Sequence, residues 1–209
     1  MPRLLATLLL LALAIGAYGA KKDEGISNTT PNERIPGRKY SAIRAIDFRN
    51  APVMKLDLND KRSFWPSLTN GGYYRKDKVA KSASHSGDEI TLEAVNYLPD
   101  GKGRDYALVR FRYTTWFGSS SSAGQVLVID LDPDGLPIIR QRIEYNIRGG
   151  DSDERWAHWN PGKHRLVVSA VHGWEHCCNK GRIIITFEWS GERFVPIGRK
   201  ILTLRHPPQ

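Results

Sequence analysis

Cysteine, long hydrophobic runs and helical periodicity are the features that this chain mostly lacks. Only two of its 209 residues are cysteine, which excludes a small domain held together by several disulfides. Its one long apolar run lies at the N terminus, so a membrane protein with several spanning helices is also excluded. No segment has the i, i+3, i+4 spacing of apolar residues that a substantial helix needs. Acidic residues are in the minority, because 22 Asp and Glu stand against 31 Lys and Arg and give a formal net charge of +9. What remains is a basic globular protein with one domain.

The apolar run belongs to a leader sequence. Arg3 precedes a stretch rich in Leu and Ala over residues 4–15, and the small residues Ala17 and Gly19 follow it. A positive start, an apolar centre and a small-x-small end are the three parts of a secretory signal peptide. The apolar centre is shorter than the roughly 20 residues that span a bilayer as a helix. We therefore predict a signal helix over residues 1–19 that is removed on export, a periplasmic or secreted protein, and no stable transmembrane span in the mature form.

A polar segment follows the leader sequence. From residue 21 to residue 38 the only apolar side chains are Ile26 and Ile35, which is too little apolar surface to offset the entropy of ordering the chain. We therefore predict a flexible linker over residues 20–38. The rest is expected to be a single β domain over residues 39–204 with a short tail over residues 205–209.

Alternation of apolar and polar residues dominates the predicted domain. In residues 182–189 the polar Arg182, Thr186 and Glu188 alternate with four apolar residues, Ile183, Ile185, Phe187 and Trp189. Residues 106–116 show the same period of two, which indicates strands with one buried and one wet face. Short turn sequences such as Asp134-Gly135 separate these segments. We therefore predict an all-β fold, an antiparallel meander that forms a sandwich or a barrel-like sheet.

The two cysteines, Cys177 and Cys178, are adjacent in the sequence. In an exported protein they are expected to be oxidised, and one interpretation is a vicinal disulfide that shapes a tight loop. A second interpretation is a metal site in which the two thiolates act together with His172 and His176, because imidazole and sulfur ligands suit zinc or copper. A redox-active pair or a crosslink between molecules is a third.

A second group of candidate residues combines carboxylates with aromatic rings. Asp151 and Asp153 lie just before Trp156 and Trp159, and this combination suits a carbohydrate or a cation. The alternative is that the two tryptophans close one end of the barrel. The basic surplus favours an anionic partner such as a cell-envelope polymer, and export excludes nucleic acid. No Gly-x-Ser-x-Gly elbow surrounds the serine run at residues 119–122, so no catalytic residue is assigned and no cofactor is expected.

An acidic turn resembles the start of a calcium loop. Asp130, Asp132 and Asp134 precede Gly135 in the pattern Asp-x-Asp-x-Asp-Gly, but the twelfth position is Gln141 where a bidentate Glu is needed. A hairpin turn between two apolar runs explains these residues better.

The order of several segments resembles that of a group of small secreted bacterial proteins with a vicinal cysteine pair near the C terminus. More distantly, it is similar to the LppP/LprE lipoproteins. The segments that carry the resemblance are residues 45–50, the turn at 100–101 before residues 105–109, Asp134-Gly135, residues 149–151, and Cys177-Cys178 before residues 188–194. This chain departs from the group at Ser152, where an arginine is usual, and at Asn179, where a proline is usual.

The resemblance implies a bacterial envelope protein, a β fold and a structural disulfide between Cys177 and Cys178. It supplies no catalytic residue. We therefore expect an exported, non-enzymatic β domain that binds an anionic or carbohydrate ligand. The alternative is a metal-binding or redox protein that uses His172, His176, Cys177 and Cys178.

Overall fold

The computed structural model describes residues 25–57, 63–76, 86–117, 119–147, 156–175 and 178–203. Within these ranges the chain forms strands and short 3₁₀ turns, and no α-helix, so the all-β prediction is confirmed. The 3₁₀ turns are Ile43–Ala45 and Pro161–Lys163. The strands are β1 (Ile26–Thr29), β2 (Glu33–Arg34), β3 (Leu56–Asp57), β4 (Ser63–Phe64), β5 (Gly72–Lys76), β6 (Ser86–Pro99), β7 (Asp105–Phe117), β8 (Ser119–Leu131), β9 (Pro137–Ile147), β10 (Ala157–Asn160), β11 (Arg165–Glu175), β12 (Cys178–Trp189) and β13 (Phe194–Thr203).

Two antiparallel sheets contain most of the strands. The larger has seven strands in the order β1-β9-β8-β7-β6-β5, with β2 also paired to β9. The smaller has four strands in the order β10-β11-β12-β13. Strands β5 to β9 and strands β10 to β13 each pair with their neighbours in sequence, which is the predicted meander.

A core between the two sheets makes the molecule a sandwich. The seven-stranded sheet contributes Leu108, Val126 and Ile143, and the four-stranded sheet contributes Val168 and Phe187. All of these side chains are buried. They come from alternate positions along each strand, because neighbouring residues of a strand point to opposite faces. Of the two predicted arrangements, packed sheets rather than a closed barrel are present in the described residues.

The other face of the seven-stranded sheet is also covered. Side chains from the segment between β2 and β5, including Ile43, Phe48 and Val53, pack against Phe111 and Ile129 of the sheet. Strands β7 and β8 are therefore buried on both faces, which explains the dense apolar run at residues 126–131.

The predicted linker is partly wrong. Within residues 20–38, β1 pairs with β9 so that Ile26 lies opposite Tyr145, and β2 pairs with β9 further along. Ile26 and Ile35 are both buried. Pairing with β9 gives the backbone N–H and C=O groups of this segment hydrogen-bond partners, and burial removes its two isoleucines from water. These two contributions offset the conformational entropy that is lost when the segment becomes ordered. Residues 25–38 therefore belong to the fold.

The predicted signal helix at residues 1–19 and the tail at residues 205–209 lie outside the described residues. Among the residues that are described, no helix has the length and apolar character needed to cross a membrane.

Candidate functional site

The described residues include only part of the predicted cysteine and histidine site. His172 of β11 lies opposite Gly181, and Cys178 of β12 lies opposite Glu175. His176 and Cys177 lie outside the described residues, so the disulfide and the metal site both stay predictions. In the described part of the chain, no three His, Cys, Asp or Glu side chains are placed to hold a metal ion.

The calcium-like loop is the hairpin turn between β8 and β9. One carboxylate oxygen of Asp132 accepts hydrogen bonds from the backbone N–H groups of Asp134 and Leu136, both at 2.9 Å. Its other oxygen lies 2.7 Å from Nε of Arg34. One carboxylate oxygen of Asp130 lies 3.4 Å from a terminal guanidinium nitrogen of Arg140. Backbone hydrogen bonds from Asp132 to Leu136 and from Gly135 to Asp132 close this turn, so the prediction of a hairpin turn is confirmed.

The buried carboxylate of Asp88 has a protein partner at each of its two oxygens. Asp88 of β6 accepts a hydrogen bond of 2.7 Å from Oη of Tyr113 and is ion-paired with Arg75. Burial and this hydrogen bond raise the pKa of Tyr113 well above its ordinary value. Tyr113 thus stays protonated as a donor, and the three side chains link β5, β6 and β7.

A shallow cleft lies beside the N-terminal strands. Its lining is apolar apart from the Tyr40 ring, and includes Ile35, Ile46, Phe48 and Val53. Without convergent polar groups the cleft has nothing to orient a ligand.

The two tryptophans of the predicted carbohydrate site do not form one platform. Trp159 packs edge-on against Phe194, with ring centroids 5.5 Å apart, and against His164 at 6.4 Å. Trp156 instead lies under the guanidinium of Arg182, whose central carbon is 4.3 Å from the ring centroid. Asp151 and Asp153 lie outside the described residues.

Arg182 lies on the outer face of the four-stranded sheet, and its guanidinium contacts Trp156, which packs with the buried core residues. Arg182 precedes Ile183, which points into the core, so Arg182 points outward. Val171 of β11 lies directly opposite Arg182. Ser169 lies two residues before Val171 on β11, on the same face and opposite Ile184, and the Arg182 guanidinium lies on the Trp156 ring. We refer to Trp156, Ser169, Val171 and Arg182 as the Trp156 cluster.

The Trp156 cluster contains two buried donors without acceptors. Trp156 and Ser169 are each 5% exposed, and among the described residues neither the indole Nε1 nor the serine Oγ has a hydrogen-bond partner. An unpaired buried polar group costs about 1–3 kcal/mol. Arg182 adds a positive charge, and no described carboxylate forms an ion pair with it. The Arg182 guanidinium lies on the Trp156 ring, Ser169 lies on the neighbouring strand, and donors of these types suit an oxyanion.

Only part of this cluster was predicted from the sequence. Trp156 was a candidate, but for sugar stacking, while Ser169 and Arg182 were missed. The alternation at residues 182–189 already indicated that Arg182 points outward. Its proximity to Trp156 depends on the pairing of β10, β11 and β12, which no local pattern specifies.

No family model, curated protein or solved structure matches the chain. The likeness to secreted bacterial proteins therefore rests on the sequence segments alone.

Proposed function

We propose that the protein is an exported, non-enzymatic β domain of the bacterial envelope that binds an anionic ligand at the Trp156 cluster. The leader sequence supports export, and the resemblance to secreted bacterial proteins supports the envelope and a structural disulfide between Cys177 and Cys178. Within the described residues the carboxylates of the acidic turns, Asp100 and Asp132, accept hydrogen bonds from backbone N–H groups and lie beside arginines.

The observation that carries the proposal is the pair of buried donors beside Arg182. An oxyanion that pairs with the guanidinium is expected to accept hydrogen bonds from Nε1 of Trp156 and Oγ of Ser169 once the side chains that cover these two buried atoms move aside. Hydrogen bonds to an ionised group are about twice as strong as neutral ones. The ligand thus removes the cost of two unpaired buried donors.

An anionic ligand fits this face better than a neutral carbohydrate. Sugar rings stack on exposed aromatic faces, but the guanidinium of Arg182 lies over the face of Trp156. Trp159 is packed between His164 and Phe194. Trp156, which is 5% exposed, therefore offers no free face for a sugar.

Titration of the purified mature protein with polyphosphate, polyglutamate and neutral dextran tests the proposal. Both polyanions share the oxyanion chemistry, and their relative affinities separate a phosphate-bearing from a carboxylate-bearing source. We expect Arg182→Gln to weaken polyanion binding about tenfold or more, which corresponds to at least 1.4 kcal/mol.

Arg165→Gln is the matched control, because Arg165 lies on the same sheet but is ion-paired with Glu188. This variant is expected to bind polyanions almost like the unmodified protein. Equal weakening by both substitutions would indicate attraction to net charge alone and overturn the proposal. Binding of dextran as tight as that of the polyanions would favour a carbohydrate ligand.

A further inference from the structure

Strand β13 is an exposed sheet edge with an unusual surface. It is the last strand in the order of the four-stranded sheet, and nearly all of its residues are exposed after Phe194. Three of the four large apolar side chains that are most exposed in the described chain lie on it, namely Ile197 (47%), Ile201 (41%) and Leu202 (39%). A long edge strand with apolar side chains is a template for another strand.

The exposed apolar side chains point to both faces of the sheet. Ile201 pairs with Ile183, which faces the core, whereas Leu202 pairs with Arg182 on the outer face. One flat surface, such as a bilayer, does not contact both side chains at once. A strand added at the edge has side chains on both faces and can pack beside both.

The charge of the edge selects the kind of strand that can be added. Strand β13 carries Arg199 and Lys200, and no residue from Phe194 to Thr203 is acidic. A second copy of β13 paired antiparallel in the register centred on Lys200 would place the two lysines opposite each other, and like charges opposite each other destabilise a sheet. An acidic strand is attracted to Lys200, whereas a second copy of β13 is repelled by it.

We infer that β13 is the docking edge for an extended segment of another protein, rich in acidic and β-branched residues, that adds as a fifth strand to the four-stranded sheet. Backbone hydrogen bonds along the edge hold the segment, while Ile201 and Leu202 pack beside its apolar residues. Lys200 selects its acidic residues. This inference is independent of the anion site, since it needs neither Ser169 nor the Trp156 indole.

Fluorescence anisotropy with a labelled peptide of alternating Glu and Val tests the inference on the full mature protein. We expect this peptide to bind, and a peptide of alternating Lys and Val not to bind. A third peptide keeps the Glu-Val sequence but has N-methyl groups at alternate residues, which removes the donors on one edge. We expect its binding to be lost, because a strand needs these donors to pair with β13.

Substitutions in the protein localise the interaction. Lys200→Glu is expected to weaken binding of the Glu-Val peptide about tenfold or more. Lys163→Glu makes the same change in net charge at another exposed lysine and is expected to leave binding unchanged. The titration is repeated with Arg182→Gln, in which the anion site is weakened, so that Glu-Val binding that persists there belongs to the edge and failure of the anion site and failure of the docking edge can be told apart. Circular dichroism checks that each variant is folded.

Three results would overturn the inference. Undiminished binding of the N-methylated peptide would show that charge alone holds it. A concentration-dependent dimer that Lys200→Glu abolishes would identify a second copy as the occupant. Sedimentation with phosphatidylglycerol vesicles, without binding of the Glu-Val peptide, would assign the edge to a membrane surface.

Discussion

At the scale of single residues, Gln141 shows how one polar side chain joins the two sheets. Its Nε2 donates hydrogen bonds of 2.8 Å to the backbone oxygen of Phe194 and to Oδ1 of Asn28. Its Oε1 accepts a hydrogen bond of 2.8 Å from the backbone N–H group of Phe194. The side chain that replaces the glutamate of a calcium loop thus holds β13 against β9.

Substitution Gln141→Met tests this role of the amide. It keeps the volume but leaves the N–H and C=O groups of Phe194 without their buried partners, so we expect the free energy of unfolding to fall by about 2–4 kcal/mol. Urea denaturation measures the change. Gln125→Met is the control, because Gln125 is half-buried and its amide donates a 2.8 Å hydrogen bond to another half-buried side chain, Glu144. The expected loss is below about 1.5 kcal/mol. Equal losses in the two variants would contradict the bridging role.

At the scale of elements, local patterns predicted the long strands but not their partners. The alternation at residues 106–116 and 182–189 matches β7 and β12, because a sheet with a buried face imposes a period of two. Turn residues such as Asp134-Gly135 marked the hairpin between β8 and β9. Strand β1 was missed because its partner in β9 lies more than a hundred residues away along the chain, and nothing in residues 26–29 specifies that pairing.

The hairpin between β8 and β9 also gives the fold an acid sensitivity. Hydrogen bonds from the backbone N–H groups of Leu136 and Asp134, together with Arg34, lower the pKa of Asp132 below its ordinary value. Because the folded pKa is the lower one, the stabilisation is present above the ordinary pKa and is lost as the pH falls through the folded pKa.

We therefore expect Asp132→Ala to lower the melting temperature at neutral pH. We also expect the melting temperature of this variant to fall less steeply than that of the unmodified protein below about pH 4. Thermal unfolding followed from pH 7 to pH 2 measures both effects. Asp134→Ala is the control, since the Asp134 side chain is 58% exposed and has one ion pair with Arg34. The account of the turn is wrong if Asp132→Ala keeps the acid sensitivity of the unmodified protein.

At the scale of the whole molecule, the packing of the two sheets determines which side chains lie on the outer face of the smaller sheet and at its edge. The core between the sheets holds the inner faces of β11 and β12, Arg182 points away from it, and most residues of β13 are exposed. The sequence indicated a basic, exported β protein, and it indicated Trp156 as a candidate ligand residue. It did not indicate Ser169 or the edge at Lys200, because sheet order and register decide which residues become neighbours.

Export and the state of the cysteines can be tested on the protein isolated from a bacterial producer. We expect the mature chain to begin at Ala20, because cleavage is predicted after Gly19. We also expect its mass to be lower than that of the reduced chain by two hydrogen atoms, as a disulfide between Cys177 and Cys178 requires. Mass spectrometry before and after reduction measures both, and elemental analysis measures bound metal. Free thiols together with stoichiometric zinc or copper would instead support the metal site with His172 and His176.

The most direct test of the anion site is the indole N–H resonance of Trp156 during a titration with polyphosphate. The chain has six tryptophans, and the Trp156→Phe variant identifies this signal in a nitrogen-15 correlation spectrum. Trp189 is an internal control, because its Nε1 already donates a 3.0 Å hydrogen bond to the backbone oxygen of Pro99. The account predicts a saturable downfield shift of the Trp156 signal, abolished by Arg182→Gln, while the Trp189 signal stays in place. A Trp156 signal that does not move while polyphosphate binds would contradict it.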